Sequence, residues 1–217
     1  MTGALEPGLR NGLAELGLAL DDEQVAKLLQ YVDLIQKWNK VYNLTSVRDP
    51  AEMLTHHLLD SLAVVPPLLR QSQGRAIRLL DVGSGAGLPG VVIAACCPQL
   101  QVDCVDTVAK KAAFVQQVAA SLHLPKLRGL HARVENLGET YDIVSSRAFA
   151  SLADFVGWSA GTLAPDGVWM AMKGKLPTAE IEALPPEAAV FHVEQLKVPG
   201  LDAERCLIWL RRTAAVT

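Results

Sequence analysis

The segment at residues 77–92, IRLLDVGSGAGLPGVV, constrains the fold of this chain more than any other stretch. Its first six residues are largely apolar and predict a strand buried on both faces, as in a parallel sheet. Three glycines follow at once, Gly83, Gly85 and Gly87, and a helix is predicted after them. Glycine lets the backbone turn tightly and approach a ligand, while the free amides of the next helix point toward that ligand. The segment therefore predicts an α/β protein with a nucleotide-type site.

The spacing of the glycines narrows the choice of ligand. A dinucleotide-binding turn, G-x-G-x-x-G, would place its third glycine at position 88, where this chain has Leu88. The pattern present is D-x-G-x-G-x-G, which resembles the motif of the class I S-adenosylmethionine (AdoMet) methyltransferases. This resemblance implies cofactor-binding residues within the motif: Asp81, Gly83, Gly85, Gly87 and Leu88. A nucleotide-binding module without catalysis and a nicotinamide oxidoreductase are the alternatives from other classes, and Leu88 argues against the second.

The next predicted strand ends in an acid. Residues 101–105, QVDCV, predict this strand, and Asp106 closes it about 20 residues beyond the glycines. A carboxylate at this place can accept hydrogen bonds from two ribose hydroxyls. The same carboxylate can cap a helix that starts at Thr107. We favour ribose binding because the glycine turn lies upstream.

Composition limits the size and the setting of the protein. A chain of 217 residues, half of them apolar, is enough for one α/β domain with a small appendage. No apolar run reaches the roughly 18 residues of a membrane span, and the N-terminus lacks the order of a signal peptide. We expect a cytoplasmic protein without membrane contact. The four cysteines include no C-x-x-C pair, so we expect small buried side chains and no metal site.

The formal net charge of −3 is unlike the basic footprint of most nucleic-acid-binding proteins. A whole-chain charge averages away a local patch, however. Several basic side chains are candidates for a local patch around the entrance of one binding site, although each can equally be a solvated surface charge. They are Lys37, Lys40, Arg48, Lys110, Lys111, Arg128, Arg133, Arg147, Lys173 and Lys175.

Motifs along nearly the whole chain resemble one family. They are WNKVYNLT at 38–45, HLLDSL at 57–62, LLDVGSGAGLPG at 79–90, ARVENL at 132–137, DIVSSRAFA at 142–150 and MKG at 172–174. Together they are similar to the signature of the RsmG (GidB) family, bacterial 16S ribosomal RNA guanine-N7 methyltransferases. The resemblance implies AdoMet as cofactor, the small ribosomal subunit RNA or an assembly intermediate as partner, and N7 of guanine 527 as the methylated atom.

The resemblance also implies roles for particular residues. Val134 and Glu135, which follow a short third strand at 127–131, line the adenine pocket. Arg147 belongs to the AdoMet site, where a guanidinium can pair with the cofactor carboxylate or donate to guanine O6. Asn43 and His57 lie in the family motifs and are candidate substrate-binding residues. Lys173, at the end of the fifth predicted strand, is a candidate contact to RNA phosphate.

Two positions depart from the family pattern. An Arg-His pair is usual before Leu-Asp-Ser, whereas this chain has His56 and His57. This exchange replaces a permanent cation with a group that titrates near neutral pH. Ala109-Lys110-Lys111 stands where Gly-Lys-Arg is frequent.

The residues after the fourth predicted strand limit the reaction. Enzymes that methylate exocyclic amines have an Asn/Asp-Pro-Pro-Tyr turn here, whereas this chain has SSRAF at 145–149. No cysteine near this edge can act as a nucleophile. A ring nitrogen such as guanine N7 needs no base, because its lone pair is unprotonated at neutral pH. We therefore predict direct in-line transfer, with positioning by Arg147 and no catalytic residue in the strict sense.

The predicted architecture is the class I methyltransferase fold: a Rossmann-like, seven-stranded, mostly parallel sheet with helices on both faces. An N-terminal helical cap (1–70) precedes the methyltransferase domain (71–217), and we expect a monomer. A helix is predicted to start at Pro50, capped by Asp49, with Met53, Leu54, Leu58 and Leu62 on one face. A further helix is predicted at 152–163, a turn at 165–167, and last strands at 188–198 and 206–212. The alternative enzyme is an AdoMet-dependent methyltransferase for another RNA or a small molecule, which the acidic composition favours.

Overall fold

A seven-stranded sheet in the order β3-β2-β1-β4-β5-β7-β6 forms the centre of the computed structural model, which describes residues 2–213. Strands β1 to β5 are parallel, and β7 runs antiparallel to both β5 and β6. The predicted fold class is confirmed. The strands are β1 Arg78–Val82, β2 Gln101–Asp106, β3 Leu127–His131, β4 Tyr141–Arg147, β5 Leu163–Lys173, β6 Ala188–Gln195 and β7 Cys206–Arg212.

Helices cover both faces of this sheet. Leu79 and Leu80 are adjacent in β1 yet belong to two separate apolar clusters, as expected when successive side chains point to opposite faces. The sheet helices are α6 Gly90–Cys96, α7 Ala109–Ser121, α8 Leu152–Ser159 and α9 Thr178–Glu182. None of the helices within residues 2–213 is both long enough and apolar enough to cross a membrane.

The N-terminal cap consists of helices before β1. They are α1 Glu6–Glu15, α2 Asp22–Tyr42, α3 Pro50–Met53, α4 Asp60–Leu62 and α5 Val65–Ser72. Asp21 caps α2 in a reciprocal box with Gln24, and Asp49 caps α3 by accepting from the amides of Ala51 and Glu52. Both starts follow from the local sequence.

The cap shares a core with the sheet. Leu9 and Leu28 from the cap are fully buried in the same apolar cluster as Leu79 and Val91. The division into residues 1–70 and 71–217 stays a prediction, and residues 1 and 214–217 of those ranges lie outside the described part of the chain. The predicted burial of the cysteines is confirmed for Cys97, Cys104 and Cys206, whereas Cys96 is only partly buried; all four are free thiols.

Some predicted boundaries are wrong. The helix predicted to start at Pro50 does start there, but a π-helix, Leu54–Leu59, interrupts it between α3 and α4. Helix α8 ends at Ser159 and continues as a 3₁₀ turn, Ala160–Thr162. The predicted strand at 188–198 ends at Gln195.

The predicted turn at 165–167 is also wrong, because these residues lie inside β5. Tyr141 pairs with Leu163 and Ile143 pairs with Val168, so β5 carries extra residues opposite β4. A bulge of this kind accommodates a proline within a strand. Local composition alone cannot distinguish such a bulge from a turn.

Candidate active site

The loop from Gly83 to Pro89 joins β1 to α6 and is held by its own backbone. The amides of Gly83 and Ser84 donate to the carbonyl oxygen of Val105 at 2.9 and 3.2 Å. The amides of Gly87 and Leu88 donate in turn to the Ser84 carbonyl oxygen. These hydrogen bonds tie Gly83 and Ser84 to the end of β2, and they tie Gly87 and Leu88 to Ser84.

Glycine is required in this loop for two different reasons. A Cβ on Gly83 would clash with the ring of Phe149, and φ at Gly83 is +65°. A Cβ on Gly85, where φ is +59°, would meet no atom within 4 Å. The backbone at Gly85 thus faces open space that a ligand can fill, while Gly83 is packed beneath an aromatic ring.

Asp81 lies behind the loop as an anchor. Its Oδ2 accepts from the amide of Gly90 at 2.9 Å, and its Oδ1 accepts from the hydroxyl of Ser145 at 3.1 Å. The side chain is fully buried, and burial raises the pKa of Asp81 to about 7. Asp81 therefore ties the start of α6 to β1 and β4, and neither of the two cavities described next is lined by it.

A cavity of about 590 Å³ opens beside the end of β2, and we call it the β2-side cavity. Asp106, Val134 and Glu135 line it, as predicted for one site, and Phe149 and Trp158 add aromatic walls. Trp158 is 42% exposed. The loop predicted around Val134 is a 3₁₀ turn, Val134–Asn136. The carboxylate of Asp106 accepts from the amides of Gly85 at 3.0 Å and Val108 at 2.9 Å.

A second cavity, of about 730 Å³, lies between the cap and the carboxyl ends of β4 and β5. We call it the cap-side cavity. Gly83 lines both cavities, so they meet at the glycine loop. The other residues that line the cap-side cavity come from the cap, the loop and the sheet. They include Thr45, His56, His57, Asp60, Gly85, Leu88, Arg147, Lys173 and Arg205.

A buried carboxylate joins two guanidinium groups at this cavity. Asp60 is 3% exposed, and it accepts from Nη1 of Arg147 at 2.9 Å and from Nε of Arg205 at 2.7 Å. Nη1 of Arg147 also donates to the carbonyl oxygen of His56 at 3.0 Å. Three distant parts of the chain therefore meet here: the cap, the end of β4 and the segment before β7. Arg147 is held in a fixed position instead of lying free on the surface.

His57 lies in the wall of the cap-side cavity, in the π-helix Leu54–Leu59. Its Nε2 is 2.9 Å from the hydroxyl oxygen of Thr45, and among the described residues its Nδ1 has no hydrogen-bond partner. Burial lowers the pKa of His57, so the imidazole is neutral at pH 7. It can therefore act as a hydrogen-bonding group in this cavity but not as a cation.

The other two predicted substrate-binding residues are placed differently. Lys173 lines the cap-side cavity, but its Nζ donates to the carbonyl oxygen of Ala150 at 3.0 Å and to Glu180 at 2.8 Å. Asn43 ends α2 in the left-handed conformation and accepts from Arg48 at 3.0 Å. It does not line either cavity. Of the four predicted substrate-binding residues, the structure therefore brings His57, Arg147 and Lys173 together at the cap-side cavity. Asn43 lies outside this cavity.

Several residues of the site escaped sequence reasoning. Asp60 and Asn39 lie in quoted motifs but carry no obvious signal of their own. Asn39 is buried, and it accepts from the Thr45 amide and donates to the Val47 carbonyl, which shapes the segment that lines the cavity. Arg205 lies far along the chain and joins the site only through tertiary structure. Over residues 2–213 no group of three or more metal-ligating side chains is present.

The fold and the site define a class I AdoMet-dependent methyltransferase. The sheet order, the glycine loop and the cavities at the carboxyl ends of the parallel strands all belong to this class. A magnesium protoporphyrin IX methyltransferase from Synechocystis has the same fold, with a TM-score of 0.59, 16% identity and coverage of 89% of this chain and 98% of that chain. The structure of TrmN from Thermus thermophilus also matches, with a TM-score of 0.56, 21% identity and coverage of 74% of this chain and 53% of that chain.

Sequence comparison gives the particular family. The family model described as rRNA small subunit methyltransferase G matches residues 24–208. The ribosomal RNA small subunit methyltransferase G of Polaromonas naphthalenivorans is 66% identical over 95% of this chain and 96% of its own length. That of Acidovorax ebreus is 64% identical over 97% of both chains. The chain belongs to the rRNA small subunit methyltransferase G family.

Proposed function

We propose that this enzyme methylates N7 of guanine 527 in 16S ribosomal RNA by direct in-line transfer, without a covalent enzyme intermediate. The observation that carries the proposal is that the β2-side and cap-side cavities meet at Gly83. One cavity can hold a nucleoside and the other a substrate base, with the glycine loop between them. Family membership supports the ribosomal RNA substrate.

The residues of the β2-side cavity fit the adenosine part of AdoMet. Asp106 uses its two oxygens for loop amides, and each carboxylate oxygen keeps a further lone pair for a ribose hydroxyl. Val134 and Glu135 supply the edge that faces adenine, and Phe149 and Trp158 line the same cavity. Gly83, Gly85 and Leu88 face the cap-side cavity, where the amino-acid part belongs. Asp81 and Gly87 do not contact the cofactor in this proposal but stabilise the loop, Asp81 by accepting from the Gly90 amide and Gly87 by donating to the Ser84 carbonyl oxygen.

The cap-side cavity fits the substrate base. The described hydrogen bonds of Arg147 use Nη1 alone, so its other donors can serve guanine O6 or the carboxylate of AdoMet. His57 offers a neutral ring nitrogen. Lys173 contacts RNA phosphate in this proposal, which requires exchange of its ion pair with Glu180. Asn43, exposed at the end of α2 and outside both cavities, is a further RNA contact in this proposal.

Methyl transfer to guanine N7 requires the protein mainly to position the two reactants. When bound, AdoMet supplies a methyl group activated by a sulfonium. Guanine N7 has an unprotonated lone pair at neutral pH, so the chain need not provide a general base. Among the described residues that line the cap-side cavity there is no cysteine, in keeping with a reaction that forms no bond to the protein. The enclosing walls align the base and keep water out.

We propose a monomeric cytoplasmic enzyme that acts on the small ribosomal subunit or an assembly intermediate. An AdoMet-dependent methyltransferase for another RNA or a small molecule is the second candidate, favoured by the net charge of −3. The two proposals predict different methyl acceptors.

The test uses AdoMet carrying a labelled methyl group and substrate from a bacterium that lacks this modification. Small-subunit particles and protein-free 16S RNA are offered separately. Label on the RNA of either sample supports the proposal and identifies the preferred form. No label on either, with AdoMet binding intact, would favour the small-molecule alternative.

A further inference from the structure

Tyr31 is the point at which the cap contacts the glycine loop through a polar group. It lies in the middle of α2 and is fully buried. Its hydroxyl donates a hydrogen bond to the carbonyl oxygen of Ala86 at 2.6 Å. Ala86 is separated from Tyr31 by 55 residues and lies between Gly85 and Gly87. A residue of the cap thus reaches into the loop that joins the two cavities.

The loop needs such a contact because of its glycines. Gly85 and Gly87 have φ values of +59° and +90°, in the left-handed region that glycine tolerates. Rotation of the peptide unit between Ala86 and Gly87 changes ψ of Ala86 and φ of Gly87, and glycine at position 87 lowers its steric cost. Rotation would remove the Gly87 amide from the Ser84 carbonyl oxygen, which it now contacts at 2.8 Å. The conformation of the loop therefore depends on what holds the Ala86 carbonyl.

We propose that Tyr31 is a positioning residue for cofactor binding, since its hydroxyl fixes the Ala86–Gly87 peptide and with it the glycine loop. The inference rests on the proposal that this loop holds AdoMet. Helix α2 of the cap then contributes to the cofactor site through the hydroxyl of Tyr31. Nothing in the D-x-G-x-G-x-G motif indicates a partner at position 31.

The surroundings of Tyr31 suit this role. Its ring stacks near Phe114 of α7 at a centroid distance of 6.4 Å, within the apolar core. Burial raises the pKa of Tyr31 well above its ordinary value, so the phenol keeps its proton and remains a donor. The ring packing fixes the hydroxyl in place, and the hydroxyl then fixes the carbonyl oxygen.

The test is the substitution Tyr31→Phe, which keeps the ring and removes the donor. The buried Ala86 carbonyl then lacks a partner, and the loop populates rotated conformations. We expect the Kd for AdoMet, measured by calorimetry, to rise about five-fold. The KM for AdoMet should rise by a similar factor while kcat changes little, because the loss occurs before the chemical step. Amide hydrogen exchange at Gly87 should become faster.

Tyr141→Phe is the matched control. Tyr141 is also buried, and its hydroxyl donates to Asp103 at 2.8 Å at the start of β4, away from the loop. This variant should lose stability but keep the wild-type Kd for AdoMet. A wild-type Kd in Tyr31→Phe, or an equal rise in Tyr141→Phe, would overturn the inference.

Asp106→Asn separates this inference from the proposed site. If that variant loses AdoMet affinity while Tyr31→Phe does not, the loop and cavity assignment stands and the role of Tyr31 is wrong. If neither variant alters the affinity, the cofactor does not bind at this loop and both proposals fail.

Discussion

Replacing Asp60 with asparagine should damage both stability and methyl transfer. The Asp60 carboxylate accepts from Arg147 at 2.9 Å and from Arg205 at 2.7 Å, and it is 3% exposed. An asparagine has nearly the same volume, so the change alters charge and hydrogen bonding without opening a cavity. Its amide group presents donors to one of two guanidinium groups that are donors themselves.

The size of the effect follows from burial. Removing one partner of a fully buried ion pair costs about 3–5 kcal/mol. Here the guanidinium side chains of Arg147 and Arg205 are 20% and 23% exposed, so water partly replaces the lost partner. We therefore expect a decrease of about 3 kcal/mol in the free energy of unfolding, at the lower end of that range. Urea denaturation measures it.

The same substitution should lower kcat/KM for methyl transfer to small-subunit RNA by about 100-fold, because Arg147 is no longer held at the cavity. Asp103→Asn is the matched control. Asp103 is a buried aspartate that accepts from Arg128 at 2.7 Å and from Tyr141, on a part of the sheet that lines neither cavity. It should lose comparable stability yet keep kcat/KM, once both variants are assayed well below their melting temperatures.

Methyl transfer by Asp60→Asn at the wild-type rate would contradict the proposed role of Asp60. An equal loss of activity in Asp103→Asn would contradict it as well, since the loss would then reflect general destabilisation.

Three further predictions concern single residues. Arg147→Ala should reduce kcat/KM about 100-fold while circular dichroism shows an intact fold. Arg147→Lys should show the same loss of kcat/KM, because lysine lacks the planar fork of hydrogen-bond donors. Unchanged turnover in Arg147→Ala would exclude a role for Arg147. Cofactor binding should change the fluorescence of Trp158, which is 42% exposed in the β2-side cavity, and Trp158→Phe should abolish the change; a signal that survives this substitution would show that adenine binds elsewhere. In the free protein, the pKa of Asp81 is raised to about 7 from an unfolded value of about 3.9, so the folded state holds an extra proton between these pH values. The free energy of unfolding, measured relative to Asp81→Asn, should therefore fall by up to about 1.4 kcal/mol per pH unit from pH 4 to pH 7 and then level off, and a rise over that range would contradict the assignment.

The sheet could be predicted from the sequence because its strands carry continuous apolar runs. Leu79 and Leu80 are buried on opposite faces, and such a run is typical of a parallel strand between helices. The glycine loop was equally visible, since its spacing reports a steric requirement. The bulge in β5 was not visible, because Pro165 and Gly167 have the same local preferences in a turn.

The site was only partly predictable for a different reason. Asp106 is the last residue of β2 and Arg147 is the last residue of β4. Their position at the carboxyl edge of the sheet is therefore implied by the topology. Asp60 and Arg205 meet only through tertiary packing, 145 residues apart. The contact between Tyr31 and Ala86 is of the same kind: nothing local marks a tyrosine on a helix as a partner of a distant loop.

The most direct test of the proposed function is to locate the transferred methyl group. RNA from the reaction with labelled AdoMet is reduced with borohydride and treated with aniline, which cleaves the chain at N7-methylguanine, and the fragments are mapped. We expect one new cleavage site, at guanine 527, that is absent when Arg147→Ala replaces the wild-type enzyme. Label without cleavage at that guanine, or cleavage at a different nucleotide, would contradict the proposed function.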